Sequence, residues 1–412
     1  MRRRIHRERL RSFNSAARLL EAFAHRFVAL AVAFVAPHAL AGPVSETLAD
    51  SPARIGAAGA GLRLVANAQV DAFSDPAALL RLDDDDWGIH ARSRHALNHA
   101  ALASQASAGV ESDQWRLVAL SRSGGVATAT PDAVRLLGLL DRKAAPGSGE
   151  RFVLDYRLDY WQARGLSLGR SWRWLPVEGQ RIELGAAVQY LAGIELLHQV
   201  FNGTATPAGP DRMVFDGQNL VAGNRMNTDD PSRFNPFVKS GHPAGHGHSL
   251  NLGLRWTLSD HWQLELAGFD IAARLNGTDM PESLRVGKFL YDGEGRLIGN
   301  ADGTAAIQGL DRRSRLTLRP RTRWVGRAGW QDRLWGFDLL AQTQAGVRRL
   351  EMAARRNVGE SGYWIGASVT TRNTGFGLTA GNQWFSVGLS TSHLRIGDAR
   401  AISAATRISW PL

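Results

Sequence analysis

The sequence predicts an all-β protein, an antiparallel transmembrane β-barrel of about 14 strands (roughly 12 to 16) with one short helix. Three observations predict this fold. Apolar and polar residues alternate with a period of two along most of the chain, no apolar run after the N-terminus is long enough for a membrane helix, and short and long loops alternate. The 412 residues include 44 Gly and 13 Trp but no Cys, which excludes disulfides and thiolate metal sites.

The N-terminus has the organisation of a secretory signal. Arginines from Arg2 to Arg26 precede an apolar run, Phe27–Ala36, and Ala39-Leu40-Ala41 forms an A-x-A ending before Gly42. We therefore predict a signal peptide over residues 1–41; an uncleaved anchor and an amphipathic helix are the alternatives. Its eight Arg and two Glu contribute +6 of the net charge of +11, which leaves +5. That charge is too small to indicate a nucleic-acid partner.

Residues 42–83 form a predicted lead or plug segment before a barrel over residues 84–412. Two stretches carry a family resemblance, Arg54–Gly61, which is rich in Gly and Ala, and Asp71–Leu79, which contains Asp75-Pro76-Ala77-Ala78-Leu79. This segment resembles the N-terminal region of FadL-type outer-membrane transporters and of TraF-type conjugal-transfer proteins. The resemblance implies a barrel that follows an N-terminal segment. An alternative is a flexible Ala/Gly lead.

One short helix interrupts the strand pattern. Thr130 is a favourable N-cap and Pro131 a favourable first residue, so the apolar stretch Ala133–Leu140 is predicted to be helical. We expect it at the periplasmic side of the barrel or within it as part of a plug.

The hairpin over residues 312–344 has the clearest alternation. Six arginines of its first strand fall on one parity and residues such as Leu316, Leu318 and Trp324 on the other, which only a period of two produces. These arginines are Arg313, Arg315, Arg319, Arg321, Arg323 and Arg327. A turn at Gln331–Leu334 would pair Trp330 with Trp335 and place Arg327 opposite Asp338. The same register would bring Arg321 and Arg323 to glutamines of the next strand. Pro320 cannot donate to a ladder and is expected at a bulge or beyond the bilayer.

A second hairpin, over residues 250–266, repeats this arrangement. Leucines and Trp256 alternate with polar residues, and a turn at Ser259–His261 places Arg255 opposite Glu265. Counted back from a periplasmic C-terminus, the tight turns fall on one side and the two longest loops, 202–247 and 276–311, on the other, as in bacterial barrels. The last strand, Arg400–Leu412, resembles an outer-membrane assembly signal.

The arginines are the candidate functional feature. They would form a positive wall in a water-filled lumen that attracts anions, because charge that lines a pore sets its selectivity. The alternative is structural, with each arginine paired to an interior carboxylate such as Asp338 or Glu351. The candidate pore-lining residues are Arg255, Glu265, Arg321, Arg323, Arg327 and Asp338.

Other chemistry is weakly indicated. His242, His246 and His248 lie in a Gly-rich stretch without Cys or acidic neighbours, so unliganded histidines are expected rather than a metal site. Ser392 and His393 are adjacent and should face opposite ways on a strand, so no catalytic dyad is predicted.

These patterns predict an outer-membrane barrel without enzymatic activity or cofactor, inserted by the assembly machinery and surrounded by lipid. The first functional hypothesis is passage of a small anionic or amphiphilic solute. The alternative is a structural, secretion-associated or conjugation-associated barrel without transport.

Overall fold

The computed structural model describes residues 48–57, 61–79, 93, 96–141, 146–147, 149–209, 212–224, 245–292, 297–300, 308–344, 346–358, 362–371 and 375–412. The predicted signal peptide lies outside these residues. The helix α1 spans Pro131–Asp141. The strands are β1 Arg63–Ser74, β2 Asn98–Glu111, β3 Trp115–Ala129, β4 Phe152–Trp174, β5 Arg181–Gly209, β6 Arg212–Ala222, β7 His246–Thr257, β8 Trp262–Asp292, β9 Leu297–Asn300, β10 Gln308–Leu318, β11 Arg323–Gln331, β12 Trp335–Gln344, β13 Val347–Val358, β14 Tyr363–Thr370, β15 Gly375–Gly381, β16 Phe385–Thr391 and β17 Ala401–Pro411.

The strands form one antiparallel sheet that closes on itself, because β1 pairs with both β2 and β17. The wall has 14 strand positions around the barrel. The strands β6 and β7 occupy one position between β5 and β8. The strands β9, β10 and β11 occupy another on the far side of β8. The predicted 14-stranded antiparallel barrel is confirmed.

The wall is interrupted twice beside β8. One interruption lies on β5 between His198, the partner of Ala222 in β6, and Ala192, the partner of His246 in β7. The other is residues 319–322, between β10 and β11. Within β8, Asp270, Ala272 and Asp279 have positive φ, and the register shifts near them mark bulges. Pro320 lies in the second interruption, where its missing N–H disturbs no ladder.

The barrel is much taller on one side than on the other. The strands β4, β5 and β8 have 23, 29 and 31 residues, whereas β14, β15 and β16 have 8, 7 and 7. The tall side includes much of the predicted long loops. The strand β5 continues to Gly209 and β8 to Asp292, so the expectation of irregular loops over 202–247 and 276–311 is wrong there. In these segments the backbone N–H and C=O groups are hydrogen-bonded to neighbouring strands, whereas in a loop they would be hydrogen-bonded to water.

Four tight turns at one end repeat the same capping contact. The side-chain oxygens of Ser112, Ser259, Asp332 and Asn382 each accept the backbone N–H three residues later, at 2.6–3.3 Å. The donor residue is always aromatic. Tryptophans therefore collect at this end, as in the interfacial girdles of membrane barrels. These girdle residues are Trp115, Trp172, Trp174, Trp256, Trp262, Trp330, Trp335, Trp364, Trp384 and Trp410.

The exterior between the barrel ends is apolar. Outward-facing side chains such as Val188, Val369 and Leu378 are 59–65% exposed, and on β17 Trp410 is exposed while its neighbour Ser409 is buried. Among the described residues, no helix is long and apolar enough to cross a membrane.

The helix α1 begins as the sequence predicts, since the Thr130 hydroxyl accepts the N–H of Ala133 at 3.3 Å. Its buried residues Ala133 and Leu136 pack on the extension of β4–β6, against Phe152 and Met213. This extension is opposite the tight turns, so the helix lies at the outer end of the barrel, and the periplasmic placement expected for it is corrected.

Residues 48–57 lie inside the lumen near the end with the tight turns. Pro52 approaches Gly185 of β5, and Ser51 approaches Gly253 of β7. The strand β1 begins at Arg63, within the range 42–83 assigned to a lead or plug segment, so the barrel starts before residue 84. Its small residues Ala66, Ala68 and Ala72 weaken the alternation by which the sequence identifies a strand.

Candidate functional site

The lower lumen contains a network of ion pairs. The guanidinium of Arg54, from the N-terminal segment, binds the Glu265 carboxylate with Nη2–Oε2 at 2.7 Å. Arg255 lies opposite Glu265 in register, as predicted, but its Nη1 binds Glu183 at 3.2 Å. Arg327 binds Asp338 at 2.7 Å. The interior arginines here are paired with carboxylates, as in the structural alternative of the sequence analysis.

The hairpin of β11 and β12 has a register two residues away from the predicted one. Trp330 pairs with Phe337 rather than Trp335, and Arg327 pairs with Leu340. The physical reason is the turn, where Asp332 accepts the N–H groups of Leu334 and Trp335 and so closes the hairpin at Gln331–Gly336. A shift of two keeps every side chain on its face. Arg327 therefore still reaches Asp338, diagonally.

The predicted single arginine face is wrong, because the chain changes faces at the interruption between β10 and β11. In β11, Arg323 is buried in the lumen and Trp324 is exposed. In β10, Leu318 is buried in the lumen. The arginines before it, Arg313 and Arg315, have the opposite parity and are exposed. Side chains alternate between faces only along regular strand backbone. Residues 319–322 are outside the sheet, so odd-numbered residues can face outward in β10 and the lumen in β11.

A polar layer crosses the lumen roughly midway along the strands. Arg122 of β3 binds Asp270 of β8 with both nitrogens, at 2.8 and 2.7 Å. Asp270 also accepts the Ser249 hydroxyl at 2.9 Å. On the other side of the lumen, Arg349 of β13 reaches Asp71 of β1 at 3.3 Å. We call these residues, with Gln189, Arg323 and Gln342, the middle polar layer.

Above this layer the lumen is apolar. The lumen apolar cluster consists of Leu120, Trp161, Ala163, Leu191, Ile194, Leu196, Leu275, Met280 and Leu318. Trp161 lies an even number of residues before Ser171 on β4, and the Ser171 hydroxyl donates to the Ile55 carbonyl in the lumen at 3.0 Å. Trp161 therefore faces the lumen too. The Arg122 guanidinium lies 5.3 Å from its ring and joins the two layers.

A second apolar cluster covers the opposite face of the same strands. Tyr160 and Leu197, the neighbours of Trp161 and Leu196, pack with Ala72 and Leu102. Both faces of β4 and β5 are consequently buried at this height, so this part of the wall is fixed by packing on each side.

An upper and a lower cavity lie along the lumen of the part of the barrel that the structure describes. The upper cavity, of about 430 Å³, is lined by Val126, Asp159, Trp161 and Leu318, and by Arg157, Arg274 and the interruption Arg319–Arg321. The lower cavity, of about 210 Å³, is lined by Arg54, Arg327, Asp338 and Trp384 among others. The middle polar layer and residues 48–54 separate them. The upper cavity has the size of a small-molecule site and reaches the interrupted wall.

The candidate pore-lining residues lie at different levels of the lumen. Arg327 and Asp338 line the lower cavity, and Arg321 lines the upper one. Arg323 is buried between them, with its guanidinium 4.8 Å from the Phe269 ring. The structure brings Arg255 and Glu265 together with Arg54 beneath the middle layer.

Arg122, Asp270, Asp71 and Arg349 were not among the candidate site residues. Asp71, Arg122 and Asp270 lie in strands without a run of charge on one face, whereas Arg349 shares a face of β13 with Glu351 and Arg355. Their pairing depends on closure of the barrel and has no local signal. Trp161 was assigned to a strand but not to a site.

The predicted histidines do not converge. His242 lies outside the described residues. His246 and His248 are exposed on one face of β7, while Ser249 points to the lumen. Across the described ranges, no group of three His, Asp or Glu side chains is placed to hold a metal ion.

Ser392 and His393 are in contact, contrary to the expectation that they face opposite ways, since both lie in a turn. The Ser392 hydroxyl is 3.0 Å from His393 Nδ1. It also accepts the backbone N–H groups of Arg400 and Ala401, at 2.8 and 3.0 Å. The hydroxyl is therefore engaged in closing the loop.

Solved structures of hydrocarbon channels resemble the whole barrel. A monoaromatic hydrocarbon channel, the TodX deltaS2S3 mutant, has 11% identity over 89% of this chain and 94% of its own, with a TM-score of 0.45. The toluene transporter TodX of Pseudomonas putida has 10% identity over 91% and 95%, with a TM-score of 0.40. The toluene transporter TbuX of Ralstonia pickettii has 10% identity over 89% and 93%, with a TM-score of 0.34. No protein-family model and no curated protein matches the chain.

The protein is an outer-membrane β-barrel. Its own surface carries this conclusion. The closed sheet pairs its backbone groups within the barrel and the charges are paired in the lumen, so an apolar exterior with an aromatic girdle is left facing outward, and such an exterior is stable when lipid surrounds it.

Proposed function

We propose that this outer-membrane barrel passes a small amphiphilic solute, with the apolar part of the solute held in the upper cavity. The upper cavity is the observation that carries the proposal. Its floor is the ring of Trp161 with Leu318 and Val126, and its volume of about 430 Å³ suits a small molecule. An apolar solute portion is favoured there by burial against these side chains.

The rim of the same cavity supports a polar or anionic head on the solute. Arg319 and Arg321 line it and, within the described residues, pair with no carboxylate. Arg157 binds Asp159 at 2.9 Å, so its charge is offset. A purely ionic solute is not supported, because five lumen arginines are paired with carboxylates and give no continuous positive path: Arg54, Arg122, Arg255, Arg327 and Arg349.

Tryptophan fluorescence tests binding. A brominated amphiphile, 11-bromoundecanoate, should quench the emission of the detergent-solubilised barrel through Trp161, while bromoacetate, which has the charge but no apolar part, should not. The Trp161→Phe variant should lose that quenching, and Trp324→Phe, on the lipid face, should keep it. Equal quenching in both variants would remove the upper cavity as the site.

Uptake tests passage. Cells that produce the parent protein should accumulate labelled undecanoate faster than cells that produce Leu318→Gln, which places an amide in the lumen apolar cluster. Heat-modifiable migration on a gel verifies that the variant is folded. Uptake no faster than in cells without the protein would reject transport.

A barrel without transport is the second candidate, and residues 48–54 favour it. They occupy the lower lumen, where Arg54 and Glu265 are joined by three hydrogen bonds of 2.7–3.0 Å. In that case undecanoate would bind without entering the cell.

A further inference from the structure

The short side of the barrel does not reach across a bilayer. At about 3.4 Å per residue and a tilt of about 40°, seven residues such as those of β16 cover a height of about 18 Å, against an apolar band of about 25 Å. The lower ends of these strands are fixed at the aromatic girdle by Trp384 and Trp410, whose rings are 5.6 Å apart. The upper ends of β15 and β16 therefore lie below the outer boundary of the apolar band.

The loop between β16 and β17, residues 392–400, lies at this level and is apolar at its tip. Leu394 is 89% exposed and Ile396 is 49% exposed. Arg395, between them, is also exposed. The side chains directly below belong to the lipid-facing surface, since Leu378 and Leu389 pair in register on the outward faces of β15 and β16. The apolar tip thus continues an apolar exterior.

Hydrogen bonds hold the base of this loop. The Ser392 hydroxyl accepts the N–H groups of Arg400 and Ala401. The Ala399 carbonyl accepts the N–H of Leu79 at 2.8 Å, and the Arg400 carbonyl accepts that of Ser74 at 2.7 Å. The backbone at Arg395 is extended, so Leu394 and Ile396, two positions apart, lie on the same side of the chain. Together with the held base, this makes their exposure a feature of the fold.

We propose that the loop over residues 392–400 is a lipid anchor of the outer leaflet. Leu394 and Ile396 enter the acyl region and complete the apolar band where the strands are too short. The Arg395 guanidinium meets the phosphate groups of the lipid headgroups, which it can bind with two parallel hydrogen bonds. The partner is the outer-leaflet lipid, and the upper cavity and its solute play no part.

Single cysteines test the anchor cleanly, because the chain has no Cys. An environment-sensitive fluorophore on Leu394→Cys in anionic phospholipid vesicles should be quenched by lipid-attached nitroxide to about the extent seen for Leu378→Cys, on the lipid face. Aqueous iodide should quench it weakly. The matched control is Leu175→Cys, a leucine that is 74% exposed in the periplasmic turn after β4, where iodide should quench strongly.

Two results would overturn the proposal. Quenching of the Leu394→Cys label by iodide to the level of Leu175→Cys would place the loop in water. Protection from both quenchers would place it against protein, as in a contact with a second copy of the chain. Replacement of Arg395 by Gln in the labelled variant should weaken nitroxide quenching in anionic vesicles and, to a smaller extent, in zwitterionic ones, because both headgroups carry a phosphate and only the anionic lipid adds a net negative charge.

Discussion

Arg122 and Asp270 form a buried, two-pronged ion pair that spans the lumen. The strands that carry them, β3 and β8, are separated in the wall by β4, β5 and β7, and the pair joins them at 2.7 and 2.8 Å. Asp270 has a φ of 60° at a bulge of β8, which turns its carboxylate towards β3. The pair therefore couples the interrupted part of the wall to the intact part.

Removal of one partner should destabilise the barrel. In Asp270→Asn the residue tolerates the positive φ, but the buried Arg122 loses its counter-charge, so the free energy of unfolding should fall by about 3–5 kcal/mol. Urea unfolding in lipid vesicles, followed by tryptophan emission, measures it. Glu282→Gln is the matched control, since its partner Arg312 is exposed and the loss should be about 0–1 kcal/mol. Similar losses in both variants would contradict a special role for the buried pair.

A charge on the lipid face should cost more at mid-height than near the girdle. Val188 faces lipid seven residues above Arg181, the periplasmic end of β5, and Leu264 lies two residues from Trp262 at the periplasmic end of β8. Val188→Arg should lower stability by about 2–4 kcal/mol, and Leu264→Arg by about 0–1 kcal/mol, because an arginine near the interface reaches water. The same urea titration measures both. Equal losses would mean that the exterior does not contact a bilayer at this depth.

The local parts of the fold were predictable because alternation and turn chemistry are local. The pairing of Arg255 with Glu265, the interruption at Pro320 and the cap at Thr130 were all predicted from short patterns. The recurring cap of the tight turns was visible in principle as a Ser, Asp or Asn three residues before an aromatic. It was missed because each copy is only four residues long.

The candidate site was less predictable. The prediction that odd-numbered arginines share one face failed at residues 319–322, because side chains alternate regularly only along paired strand backbone. The contacts of Arg54 with Glu265 and of Arg122 with Asp270 join residues that are 211 and 148 positions apart. Such contacts follow from closure of the barrel and leave no trace in a local pattern.

The turn at Asp332 should weaken in acid. Hydrogen bonds from the backbone N–H groups of Trp335 and Leu334 lower the pKa of this carboxyl from its ordinary value of 3.8. Because the pKa is lowered in the folded state, the charged carboxylate stabilises the turn above pH 3.8. This stabilisation is lost as the pH falls through the folded-state pKa. The carboxyl carbon shift in NMR should titrate below 3.8. Asp332→Asn, which keeps an acceptor, should hold the turn without this pH dependence; a midpoint at or above 3.8 in the parent would contradict the capping role.

A methyl group at Gly185 should displace the N-terminal segment from the lumen. A Cβ there would lie 2.1 Å from the Pro52 carbonyl carbon and 2.4 Å from the Ala53 nitrogen, so backbone must move. In Gly185→Ala we expect residues 51–54 to withdraw, the pair of Arg54 with Glu265 to break, and the single-channel conductance in planar bilayers to rise above that of the parent. Gly326→Ala is the matched control, because its Cβ would meet nothing closer than 3.9 Å and the conductance should not change. If Gly185→Ala is folded and its conductance equals that of the parent, residues 48–54 do not close the lower lumen, and the proposal of a barrel without transport loses its support.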